Sequence, residues 1–128
     1  MRCLLAIALT LLCVPGGNSK CDGLMAWYDS YNERYFRNFL PKDTVVVYGD
    51  TEKLAPNSMG ATFKDGLRFH ILLNPFYTTA PVVAHETLLH EMCHIETWNV
   101  HDSLDGHGKA WRSCMNRLYK EGAMEGLL

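Results

Sequence analysis

A chain of 128 residues has the size of one domain and can bury a core without relying on staples. Its 48% hydrophobic and 20% charged residues describe a folded globular protein and exclude a disordered one. The formal charge of −2, with basic residues scattered singly, excludes the clustered cationic surface that grips a nucleic-acid backbone.

The chain opens with Arg2, an apolar run over residues 3–14, and then Pro15-Gly16-Gly17-Asn18-Ser19. This charged, hydrophobic and small-residue order predicts a secretory signal peptide over residues 1–19, cut after Ser19, and hence a secreted or periplasmic protein. The run is too short to span a bilayer. The alternative is an internal start at Met25 and a cytoplasmic protein. The residues ahead of Cys13 and Cys21 are not the small ones of a lipidation site. Cleavage leaves Cys21, Cys93 and Cys114, an odd number that allows at most one internal disulfide, and the expectation is three buried or idle thiols.

Residues 22–120 are expected to form the domain. A helix is predicted over residues 22–40: Asp22 can cap it, Leu24, Trp27, Tyr28, Tyr31, Tyr35, Phe36 and Phe39 recur at helical spacing, and Pro41 prevents continuation. That aromatic stripe reads as core. Thr44 to Tyr48 is β-branched and short, and residues 60–64 and 67–73 flank Asp65-Gly66, a type I′ hairpin signal. Three antiparallel strands are predicted, with residues 50–59 as a loop that could border a cleft. His70 reads as an ordinary strand residue.

The central helix follows the turn at residues 74–79, with Thr78 or Thr79 as cap and Pro81 in its first turn. It carries His90-Glu91-Met92-Cys93-His94. Residues i and i+4 share a helix face, so His90 and His94 can aim at one ion with Glu91 beside it, the pattern of a zinc hydrolase. A catalytic zinc usually takes three protein ligands and keeps a fourth position for water. Spacing leaves His101 and His107 open as the third. The metzincin arrangement fails, because Thr97 and Val100 stand where Gly and His would be needed, and Glu121 and Glu125 lie too near the end to be well placed. His85 is off the ligand face. A last helix is predicted over residues 109–119, where Trp111, Cys114, Met115 and Leu118 recur, with a frayed tail at 121–128.

Thr87-Leu88-Leu89-His90-Glu91-Met92-Cys93-His94, followed by Asp105-Gly106-His107-Gly108-Lys109-Ala110-Trp111, closely resembles the SprT-like (Spartan-type) zinc metallopeptidases, with their T-L-x-H-E-x-x-H and H-G-x-x-[FW] patterns. The resemblance covers residues 24–119 and implies that His107 is the third ligand. The flanking Gly106 and Gly108 fit that role, since they let the backbone turn tightly towards the ion. It also implies an α+β, zincin-like small domain: an N-terminal aromatic helix, a three-stranded antiparallel sheet, the central metal helix and a C-terminal helix. A zinc ribbon or DNA-binding extension, which many SprT-like proteins carry, is not expected here.

The expected activity is peptide-bond hydrolysis on a protein or peptide substrate, with Zn2+ held by His90, His94 and His107 and Glu91 as general base. A buried charge between two ligands needs a partner, which favours a working Glu91 over a merely structural one. Cys93 reads as a packed thiol, since a fourth protein ligand would close the water position. Asp102 and Asp105 can hold a ligand histidine or sit as solvated loop charges. The alternative function is a noncatalytic zinc-stabilised binding module, nucleic-acid-associated by family analogy.

Overall fold

A computed structural model of the protein describes residues 23–49 and 51–125. The expected signal peptide, Cys21, Asp22 and residues 126–128 of the tail lie outside the described residues. Helix α1 (Leu24–Tyr35) is followed by strand β1 (Val45–Tyr48), a single 3-10 turn at Thr51–Lys53, strands β2 (Gly60–Asp65) and β3 (Arg68–Leu73), and helices α2 (Pro81–Glu96) and α3 (Lys109–Lys120). The class is α+β, as expected.

The aromatic helix is shorter than its periodicity predicts. Arg37 and Asn38 adopt left-handed φ of 52° and 61°, which an α-helix does not accommodate. The Asn32 side chain replaces the lost helical partners, accepting the Leu40 N–H at 3.1 Å and donating to the Leu40 carbonyl at 2.9 Å. Phe36 and Leu40 thereby still reach the core, whereas Phe39 points to solvent. Tyr28 is the deepest of the aromatic stripe, and its hydroxyl is satisfied by donating to the Pro41 carbonyl at 2.7 Å.

The sheet is mixed, and this corrects the antiparallel expectation. Its order is β1-β3-β2, with β1 parallel to β3 (Val46 opposite Ile71) and β2 antiparallel to β3 (Thr62 opposite Ile71). The cause lies in β3: Phe69, Ile71, Leu72 and Leu73 are all buried, and a strand so apolar is best placed between two neighbours. Residues 51–59 lead the chain into β2, on the far side of that central position, before the hairpin turns back into it. The hairpin's two central residues are Gly66 and Leu67, with only Gly66 at positive φ (62°), so the turn has the II′ pattern and sits one residue later than the I′ signal implies.

Helix α2 starts at Pro81 after Ala80, with no side-chain cap. Thr78 is not free to cap it, because its hydroxyl donates to the Asn74 carbonyl at 2.7 Å. Leu88, Leu89 and Met92 of α2 are completely buried with Ile71 and Leu73 of β3, Tyr28 of α1 and Leu118 of α3. The metal-type helix is thus the central rod of the only core cluster among the described residues. Past α3, Gly122 turns the chain with φ 80° and returns Ala123 and Met124 to the core, so packing extends beyond residue 120. No helix among the described residues is long and apolar enough to cross a membrane.

Candidate metal centre

Helix α2 places His90 and His94 one turn apart with their rings 5.1 Å apart. The loop between α2 and α3 brings His107 back to them. Asp105 fixes that return by accepting the His107 N–H at 3.0 Å and the Ser103 hydroxyl at 3.2 Å, and the His107 N–H is the main reason its carboxyl titrates below the usual range. Asp102 accepts the Ala110 N–H at 2.8 Å, which ties the loop to the first turn of α3. A side chain at Gly108 would collide with the Asp102 carboxylate, so the glycine is required by that close approach. Of the two aspartates, then, Asp105 orders the backbone of the candidate ligand and Asp102 the helix behind it.

The Nε2 atoms of His90 and His94 each lie 3.1 Å from Nε2 of His107. Ligands about 2.0 Å from a tetrahedral zinc are roughly 3.3 Å apart, so the three nitrogens fit around one ion. Burial, reinforced by the neighbouring imidazoles, holds both His90 and His94 down to about 4, and their ring nitrogens are neutral at physiological pH. Three converging imidazoles form a donor set suited to zinc and other transition-metal ions. Among the described residues this is the only cluster of its kind, and His101, exposed in the loop, is not part of it.

Trp111 is the common wall of the cluster. Its ring centre lies 4.6 Å from those of His90 and His107 and 5.7 Å from that of His94, and its indole N–H donates to the His90 carbonyl at 3.2 Å. Glu91 is 4% exposed. Burial pushes its carboxyl up to about 7, opposed by a hydrogen bond from the Thr62 hydroxyl to Oε2 at 2.6 Å. A carboxyl poised near neutrality beside three imidazoles has the protonation range of a general acid–base group.

The profile of the SprT-like family matches residues 24–125, from the first turn of α1 to the end of the described chain. The chain belongs to the SprT-like family. In this SprT-like domain the histidines open onto a cleft of about 700 Å³, floored by His90, Glu91, His94 and His107. Ser58, Met59, Gly60, Ala61 and Thr62 line it from β2 and the loop before it, and Met115, Tyr119 and Met124 from α3 and the chain after it. The loop before β2 therefore borders the cleft, held there by Asn74, which accepts no helix role but donates to the Ser58 carbonyl at 3.0 Å.

Cys93 departs from its expected state. It forms a disulfide with Cys114, Cα to Cα 5.8 Å, joining α2 beside His94 to α3. Both cysteines face the shared core at 0% and 1% exposure, which is what brings them within bonding range. Arg117 adds a second tie between the same helices through a bidentate pair with Glu96, at 2.7 and 3.1 Å. His85 packs elsewhere: its ring lies 4.1 Å from that of Trp27 and its Nδ1 is 3.2 Å from the Tyr31 hydroxyl. His70 stacks on Phe63 at 4.9 Å. Sequence reasoning did not single out Thr62, whose contact with Glu91 spans 29 positions; the polar residue in the short Gly60-Ala61-Thr62 stretch was its one available sign.

Proposed function

We propose that this SprT-like domain is a zinc-dependent endopeptidase. The observation that carries the reading is the convergence of three histidine Nε2 atoms with one buried carboxyl at the floor of an open cleft. His90, His94 and His107 would hold the ion, in a zincin-like arrangement with the first two on one helix. Zinc bound there supplies Lewis-acid polarisation of a carbonyl and a lowered water pKa. Glu91 accepts the proton of the attacking water and returns it to the departing amine, for which a group titrating near 7 is well matched. Trp111 keeps the imidazoles from turning, and Asp105 keeps the His107 backbone in place. The cleft accepts a protein or peptide segment.

Glu91→Gln tests this directly, because it retains shape and polarity but cannot take up the proton. The expected result is loss of peptide hydrolysis by about 100-fold or more, with zinc content unchanged and the fold retained. Undiminished hydrolysis would refute the general-base assignment.

We further propose that the protein is exported, with residues 1–19 as its signal peptide. The Cys93–Cys114 disulfide supports this, since such bonds persist in oxidising compartments. An internal start at Met25 would delete buried Leu24 and the Gly23 carbonyl that accepts the Trp27 N–H at 2.7 Å. Intact mass of the mature protein should correspond to cleavage after Ser19; a cytoplasmic chain retaining Met1, or beginning at Met25, would contradict export.

A further inference from the structure

We propose that Thr62 is the positioning residue for Glu91, its hydroxyl anchoring one carboxylate oxygen to strand β2 so that the other is presented to the cleft. The inference rests on the reading of Glu91 as general base and specifies what aims it. A glutamate side chain has three rotatable bonds, and a working base must be held within about 0.5 Å of its productive position. Helix α2 fixes only the Glu91 backbone.

The remaining constraint comes from the sheet. Thr62 Oγ1 donates to Glu91 Oε2 at 2.6 Å and lies 3.3 Å from the Glu91 carbonyl, so the hydroxyl sits against both ends of that residue. Among the described residues no other side chain hydrogen-bonds the carboxylate. Threonine suits the task because a β-branched side chain on a strand is stiff about χ1, and its backbone is fixed by pairing opposite Ile71, which is fully buried.

Gly60 makes the approach possible. A Cβ there would stand 2.9 Å from the Leu72 carbonyl and 2.9 Å from Thr87 Cγ2, and 3.3 Å from Glu91 Oε1. Its bare Cα lets β2 lie close against α2, and it leaves Oε1, the oxygen Thr62 does not hold, beside the cleft that Gly60 itself lines. Gly60 and Thr62 thus act as one device on a single strand, the first admitting the carboxylate and the second orienting it.

The test compares Thr62→Val, which replaces the hydroxyl by a methyl of the same shape, with Thr62→Ser, which keeps the hydroxyl, both in the full zinc-loaded protein. For a positioning role, Thr62→Val lowers kcat about tenfold or more with KM little changed, Thr62→Ser stays close to the parent, and both bind one zinc. In a Glu91→Gln background Thr62→Val adds no further loss. Crystal structures of the parent and Thr62→Val proteins provide a readout independent of turnover: the Glu91 carboxylate should leave its place beside β2. Parental kcat in Thr62→Val, equal damage by Thr62→Ser, loss of zinc, or an unmoved Glu91 carboxylate would each overturn the proposal. If the parent hydrolyses no peptide, the functional reading fails, and the crystal structures still decide whether Thr62 holds Glu91.

Discussion

Burial acts on His90, His94 and Glu91 in opposite senses, because it disfavours whichever form is charged. The two imidazoles are held down to about 4 from an ordinary 6.5, and the carboxyl is raised to about 7 from 4.5. Between 4.5 and 6.5, unfolding of the metal-free protein protonates both imidazoles and ionises the carboxyl. These three groups therefore take up a net of about one proton on unfolding, and their joint contribution to stability rises with pH in that window. The Glu91 contribution alone runs the other way: its raised pKa stabilises the fold at low pH, and this is lost as pH climbs through 7. Denaturant unfolding of the metal-free parent and Glu91→Gln proteins should show the variant gaining about 3 kcal/mol relative to the parent between pH 4 and pH 8. A constant difference would mean that Glu91 is not raised. At this scale His90, Glu91 and His94 were legible because one helical turn relates them. His107 was one of two spacing candidates until the family pattern selected it. Thr62 was not legible, since a contact between a strand and a helix leaves no periodic trace in sequence.

Helices α2 and α3 have to act as one piece if His107 is to stay over His90 and His94, because the loop between them bears the third imidazole. The Cys93–Cys114 disulfide and the Arg117–Glu96 pair provide that coupling between the two helices. Closing a loop across a separation of 21 residues is worth about 3 kcal/mol on the chain-entropy account. Replacing both cysteines by alanine should lower unfolding stability by about that amount, and a thiol reductant should do the same to the parent once the buried bond becomes accessible. No change in the denaturation midpoint would show that the bond is absent in solution. The pairing could not be read from an odd set of three cysteines, for spacing does not reveal which side chains share a core. The strands were legible individually, from their β-branched and alternating residues. Their mixed order was not, because it depends on β3 being the most buried strand and not on any local signal. The early end of α1 has the same character: only the fold shows that Asn32 reaches forward to Leu40.

At the scale of the whole molecule, the described residues form a single core wrapped on the helix that carries the candidate metal ligands. Tyr28 and Tyr31 cover it from α1, Ile71 and Leu73 from the sheet, and Leu118, Ala123 and Met124 from the chain after the His107 loop. Three segments far apart in sequence thus support one small set of polar atoms, which is how a site is kept rigid while its cleft stays open. The SprT-like match over residues 24–125 spans all three. Everything proposed for the cleft depends on one ion being held by these three imidazoles. The most direct measurement is the zinc content of the purified protein beside its His107→Ala and His101→Ala variants. One zinc per chain, lost with His107→Ala and kept with His101→Ala, is the predicted result. Zinc that survives His107→Ala but not His101→Ala, or a folded parent that takes up none, would contradict the account.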